Sequence, residues 1–290
     1  MVKSIFKRIK PLEIIIYLII GLLVVCTILP FLNVISISLS SYENVVSNKA
    51  MLFPKGWTFD AYTVLMSKKV WISFVWTIVI VIASSVLHII VCLLTAYPLS
   101  KNQLPGRKFL LLFILIPMLF SGGLVPYYKV LSGLGFVDNW MVFIVPGLFS
   151  GYNVILMKNF INQIPASMEE AARIDGAGYF KILFSILAPS SMPIIATLLL
   201  FYGVGKWNDW FTALIFINQK TYLYPLQSVL NEILTAGNLD NISGLITSGK
   251  VFTDSTKMAV TIFSIIPIAS VYPFLQKYFV QGIFVGSVKD

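Results

Sequence analysis

Charge is scarce in this chain. Only 11% of its 290 residues are Asp, Glu, Lys or Arg, against about 25% in an ordinary soluble domain, too few to cover a globule of this size with a wettable surface. Histidine occurs once, as His88, and cysteine twice, as Cys26 and Cys92. One imidazole, two thiols inside apolar runs and dispersed carboxylates cannot converge on a metal ion or form a catalytic set. The cysteines read as small core residues rather than as a redox pair. Glycine periodicity, low-complexity tracts and internal repeats are missing, which excludes fibrous and disordered classes. What is abundant is apolar surface: 58% of residues are hydrophobic, 14% are aromatic and the mean hydropathy is +0.87. The composition is that of a membrane protein, and apolar runs long enough to span as helices make it an all-α one.

Six stretches, 14–39, 70–98, 109–125, 140–157, 193–217 and 258–280, are long and apolar enough to cross a bilayer, which takes about 20 residues. An even count returns both termini to one side. Lys3, Lys7, Arg8 and Lys10 crowd the N-terminus, and Lys101, Arg107 and Lys108 fill the loop after the second stretch, so that side is the cytoplasm. The net charge of +9 is mostly this topological signal. Scattered basic residues make no nucleic-acid footprint. The first apolar run exceeds the roughly 7–15 residues of a signal-peptide core and reads as a retained helix. Three outer connections remain, 40–69, 126–139 and 218–257, the last with a short helix over 226–235 ended by Gly237.

The most informative segment is cytoplasmic, residues 158–193. After Pro165, Ser167 is placed to cap a helix and Glu170, three residues on, to reach back to it, with Glu169 beside it. Asp175-Gly176-Ala177-Gly178 supplies the left-handed stop, so the helix is short. A second amphipathic run, Tyr179, Phe180, Ile182, Leu183 and Ile186, stops at Pro189. The result is a helix-turn-helix at the inner membrane surface, carrying the small residues Ala171 and Ala172 beside two acids. An interfacial helix lying on lipid favours Lys and Arg on its polar face, so the acidic end points to a protein partner.

Glu170-Ala171-Ala172, three residues, Gly176, nine residues, then Ile186-x-Ala188-Pro189 resembles the EAA loop of binding-protein-dependent ABC importer permeases, with Ala188 where that pattern has Leu. The resemblance runs from about Trp71 to the C-terminus, through Gly122-Gly123-Leu124-Val125-Pro126, Trp207-Asn208-Asp209 and the tail from Gly282 to Lys289. The tail has Ser287 and Asp290 where the family has Ala and Gly. It is similar to the carbohydrate-uptake branch of type I permeases. That likeness implies six transmembrane helices with a cytoplasmic coupling helix, an N-terminal helix and outer loop over 1–69, and a transporting core over 70–290. It implies that Ser167, Glu169, Glu170, Ala171, Ala172, Asp175 and Gly176 couple to a separate ATPase. Two such ATPases would hold ATP and Mg, while this chain carries no cofactor and hydrolyses nothing. The other implied partners are a homologous second permease, as a heterodimer, and an extracytoplasmic solute-binding protein, with this chain as a multi-pass protein of the cell membrane.

Polar groups entering the spans mark a candidate transport path. Lys206, Trp207, Asn208, Asp209 and Trp210 interrupt the fifth stretch, and charges at such depth face a cavity or one another. Lys206 and Asp209 could simply pair along one helix face. Alternatively the aromatic rings stack on sugars while Asn, Asp and Lys bind hydroxyls or carboxylates. An anionic oligosaccharide would suit Lys206 and the outer Lys129, Lys220 and Lys250, although those outer lysines also read as solvated surface. His88, near Ser84 and Ser85 with no acid in its span, reads as a packing and hydrogen-bonding residue rather than a proton relay. Gly147-x-x-x-Gly151 and Gly282-x-x-x-Gly286 are spacings for close contact. The stretch Gly244 to Lys250 mimics a phosphate loop, but Val251 replaces the metal-binding hydroxyl and no strand precedes it. An ion-coupled secondary transporter, the competing reading, would show repeats and broken helices in both halves. A membrane enzyme would need catalytic groups that the chain lacks.

Overall fold

The computed structural model describes residues 11–47, 52–235 and 253–285, and these are mostly helical, with one isolated bridge between Ser40 and Trp57. Gly237, the stretch 244–250, the N-terminal basic residues and the tail beyond Val285 lie outside the described residues. The chain divides into two compact units, one of residues 1–67 and 232–266, the other of residues 68–231 and 267–290.

In the first unit, α1 (Pro11–Ser38) exposes Ile, Leu and Val on all sides, the mark of a helix made for hydrocarbon. Cys26 is exposed there rather than packed in a core. Beyond α1 the chain turns through α2 (Tyr42–Val46), and Thr58 N–H donates to the Leu39 carbonyl at 3.1 Å.

The second unit is organised by α3 (Lys68–Ser100), which runs between two apolar clusters. Near its start Ile80 packs with Leu131, Phe143 and Phe216. Near its end Ile89, Leu93 and Ala96 pack with Met157, Ile182, Leu187 and Leu198. The helices around it are α4 (Arg107–Leu119), α5 (Leu124–Gly133), α6 (Gly151–Ile161) and α7 (Ala166–Ile174). Then come α8 (Tyr179–Ile182), which continues through a π turn, Leu183–Leu187, into α9 (Ala188–Ser190), followed by α10 (Met192–Trp207) and α11 (Phe211–Phe216). The short helix expected over 226–235 is present as α12 (Leu226–Thr235), and α13 spans Thr253–Val285.

Three helices are long and apolar enough to cross a membrane singly, over Glu13–Ser38, Lys68–Ser100 and Asp254–Phe274. The other three expected spans are broken. The stretch 109–125 is not one helix: α4 stops at Leu119, Gly123 adopts a positive φ of 85°, and α5 leaves at 117° to α4. The stretch 140–157 is two 3-10 turns, Trp140–Phe143 and Val145–Gly147, bent by 45° from α6. The stretch 193–217 breaks at 208–210 between α10 and α11. The segment 179–190 makes a bend of 81° with α10. Each break coincides with small or polar residues, Ser121-Gly122-Gly123, Ser150 and Asn208-Asp209, which tolerate backbone that leaves helical geometry. The hydropathy of each stretch is unaffected by its break, so composition alone reads straight through it.

Candidate functional site

The short helix α7 is capped at its C-terminus by geometry that its sequence dictates. Gly176 takes φ +78°, its N–H donates to Arg173 O at 3.0 Å, and Ala177 N–H donates to Ala172 O at 2.9 Å. This paired closure leaves no room for a further turn. The N-terminus differs from expectation: Pro165 is the N-cap with no side-chain bond, and Ser167 sits inside the first turn. Proline fixes the entry dihedral itself, so the expected reciprocal bonds of Ser167 and Glu170 are not needed and are not made.

The two neighbouring acids of α7 have opposite fates, because residues one apart on a helix point about 100° apart. Glu170 is exposed, as are Ala171 and Asp175. Glu169 is only 7% exposed. Its carboxylate accepts from Tyr97 Oη at 3.0 Å and Arg173 Nη2 at 2.7 Å, and it pairs with Lys101. Burial tends to raise the Glu169 pKa, but the hydrogen bonds from Lys101 and Tyr97 and the charges of Lys101 and Arg173 outweigh it and hold the carboxyl below its usual range. Glu169 and Ala172 therefore fasten α7 to the end of α3, and Glu170 and Ala171 face outward. Large apolar side chains also stand out here: Ile174 is 87% exposed and Phe180 71%. The sequence pattern placed Phe180 and Tyr179 on the inward face with Ile182. Only Ile182, Leu183 and Leu187 are buried, and the π turn over Leu183–Leu187 brings Leu187 further inward than Ile186.

A second cluster of polar groups lies where two helix breaks meet. A pocket of about 410 Å³ is bounded by Ser150, Tyr152 and Asn153 at the start of α6 and by Tyr202, Lys206 and Asp209 at the end of α10. Lys206 Nζ stands 3.7 Å from Asp209 Oδ2. Asp209 accepts from Thr212 N–H at 3.1 Å and Thr212 Oγ at 2.8 Å, so it braces the first turn of α11, whose N-cap is Trp210. Of the other expected path residues, Asn208 is exposed and donates to Val204 O at 3.0 Å, and Trp210 lies edge-on to Phe211. Trp207 does not face the pocket. It is buried edge-on against Phe74, with ring centroids 6.0 Å apart.

His88 belongs to this region and its role is now explicit. Its Nδ1 donates to the Leu148 carbonyl, freed by the break before α6, at 2.8 Å. A carbonyl can only accept, so Nδ1 carries the proton. Nε2 then accepts from Asn153 Nδ2 at 2.8 Å, and the ring stacks on Tyr202 with centroids 4.0 Å apart. The break is thus satisfied internally, as backbone at membrane depth requires. Gly147 permits the close approach anticipated for its spacing: a Cβ there would lie 3.0 Å from Tyr202 Oη and 3.1 Å from Lys206 Nζ. Gly151 does the same for Ile114 and Met118 of α4.

Between α5 and the 3-10 turn Trp140–Phe143, Asp138 adopts φ 52° and its Oδ1 accepts from the backbone N–H groups of Asn218, Gln219 and Lys220 at 2.8, 2.9 and 3.2 Å. The bond from Gln219 leads the effects that hold its pKa below the usual carboxylate range, against a smaller opposing contribution from burial. Sequence reasoning passed over this clasp, because its partners are backbone groups far along the chain. Among the described residues no group of His, Cys, Asp and Glu could hold a metal ion.

Comparison with known proteins matches residues 11–285 to the family described as binding-protein-dependent transport system inner membrane component. Protein LplC of Bacillus subtilis (strain 168) is 38% identical over 269 residues, covering 91% of this chain and 90% of that protein. The polygalacturonan/rhamnogalacturonan transport system permease protein YtcP of the same organism is 36% identical over 265 residues, covering 90% of this chain and 92% of that protein. Among solved structures, a bacterial ABC transporter involved in the import of the acidic polysaccharide alginate superposes with a TM-score of 0.87 at 31% identity, covering 95% of this chain and 98% of that one.

Proposed function

The chain belongs to the family of binding-protein-dependent transport system inner membrane components, and from that premise we propose that it is the permease of an ATP-driven importer of oligosaccharides. It is a transport subunit and not an enzyme. Sugar as cargo is supported by relatives named for polygalacturonan, arabinooligosaccharide and alginate transport. Three single spans and three broken ones make six crossings, with both termini cytoplasmic. Residues 70–290 are the transporting core, and the helix and loop of 1–69 are added to it.

One observation carries the mechanism. The short helix α7, tied to α3 through Glu169, exposes Glu170 and Ala171, and the large apolar side chains of Ile174 and Phe180 stand exposed on it and just after it. Exposed apolar patches of this kind mark protein contacts. In this reading two copies of a separate ATPase, which bind ATP and Mg, receive α7 of this chain and of a second, homologous permease. Their closure moves α7, and the buried Glu169 knot passes that motion to α3, whose far half lines the helix breaks around Lys206. Unwound backbone at membrane depth is tolerated where it borders a cavity, which supports the breaks at 148–150 and 208–210 as the path of the cargo. A solute-binding protein delivers the sugar to the outer loops.

The test is uptake in sealed vesicles carrying the whole transporter. Accumulation of an oligosaccharide should require ATP on the cytoplasmic side and survive collapse of ion gradients. Uptake driven by an ion gradient without ATP would overturn the reading.

A further inference from the structure

The ammonium of Lys206 is poorly matched by its only ion-pair partner among the described residues. The separation of 3.7 Å from Asp209 is beyond hydrogen-bonding distance, and both Asp209 oxygens are already engaged by Thr212. The aromatic face of Tyr202 offers a distant second contact, with Nζ 6.0 Å from the ring centroid. An ammonium has three hydrogens to donate, and burying one incompletely satisfied is costly. One turn earlier on α10, Tyr202 Oη is buried with no hydrogen-bond partner among the described residues. Both groups come together over the bare Cα of Gly147, within 3.1 Å of where a Cβ would stand, and both border the pocket of about 410 Å³. An ammonium and a phenol hydroxyl, one turn apart and aimed at the same space, present two donors and one positive charge. A carboxylate, with two acceptor oxygens and one negative charge, complements that pair better than any neutral hydroxyl does.

We propose that Lys206 and Tyr202 form a carboxylate subsite in the import path, so that the cargo is an oligosaccharide containing uronic acid units. This rests on the oligosaccharide-importer reading and names its substrate class. Asp209 holds Lys206 in place when the site is empty and stays bound to Thr212 when the substrate carboxylate takes over the ammonium. Tyr152, exposed at the edge of the pocket, is left to meet the hydroxyls of the ring. Pockets of this sort fix orientation with few polar anchors among apolar walls.

The experiment uses the complete transporter with its solute-binding protein in proteoliposomes, and compares uptake of a galacturonic acid trisaccharide with that of the neutral galactose trisaccharide. Lys206→Met should raise the half-saturating concentration of the acidic probe about tenfold relative to the neutral one, as expected for one lost charge-assisted hydrogen bond. Lys206→Arg should restore most of the acidic uptake. Asp209→Asn, which keeps one of the two oxygens that accept from Thr212 and removes the charge that competes for Lys206, should lower the acidic half-saturation. If Lys206→Met and Asp209→Asn weaken both probes equally, the pair is only a structural strut and the proposal falls. Wild-type uptake confined to the neutral probe also overturns it, with the importer reading intact. If neither probe enters in an ATP-dependent manner, the importer reading fails first and this proposal with it.

Discussion

Replacing Glu169 by Gln isolates the knot that holds α7. The substitution keeps the shape and one acceptor oxygen, so the bond from Tyr97 can persist, but it removes the charge shared by Lys101 and Arg173. Charge-assisted hydrogen bonds contribute about 1.5–3 kcal/mol each where buried. The Lys101 and Arg173 side chains are 35% and 45% exposed, so water recovers much of each interaction, as at surface pairs. The net loss is about 2 kcal/mol, a shift of about thirtyfold toward an undocked α7. Backbone amide exchange over residues 166–177 of the purified transporter should accelerate by about that factor. Glu170→Gln, one residue away but exposed, should leave the exchange as it was. The pH dependence has a fixed sign. A carboxyl whose folded pKa is depressed gives its full stabilisation above its ordinary range and loses it as pH falls through the folded value. Protection in the wild type should therefore hold at neutral pH and fade only in acid, while the Gln variant shows no such step. Equal protection in Glu169→Gln and wild type would refute the argument.

Three further outcomes follow from the geometry. A Cβ added at Gly176 meets no neighbour within 4 Å, so the cost of Gly176→Val is set by backbone strain, about 1–2 kcal/mol for a left-handed L-residue. Membrane insertion should be normal and ATPase association weakened in co-purification. Trp207→Ala should lower the thermal stability of the purified protein by about 3–5 kcal/mol, as for a buried large-to-small change, without changing which sugar is carried. Asp138→Ala removes the acceptor of three consecutive amides, so exchange at 218–220 should rise. In the wild type the clasp should persist well below neutral pH and open only as its depressed carboxyl is protonated.

The sequence spoke clearly where one residue type imposes one local geometry. Gly176 after a short acidic run dictated the end of α7, and the apolar runs located α1, α3 and α13 closely. It was mute where a neighbour decides. Glu169 and Glu170 are chemically identical, and only the approach of Tyr97 and Lys101 separates the fastener from the free acid. Trp207 carries the residue type of a sugar platform, yet Phe74 on α3 claims it. The breaks at 120–123 and 148–150 hid inside apolar stretches, because hydropathy measures transfer from water and not helical continuity. His88 could be read as a hydrogen-bonding residue, but its task, taking the carbonyl that the second break releases, required knowing that Leu148 lies opposite.

If α7 is seated on an ATPase, the two move together through the transport cycle. A single cysteine at Glu170→Cys, in a background with Cys26 and Cys92 replaced by alanine, can be cross-linked in the intact transporter with and without ATP. A covalent adduct to the ATPase subunit should form, with a yield that changes with nucleotide. Labelling of that cysteine from outside the cell, or by a lipid-confined reagent with no ATPase adduct, would contradict it.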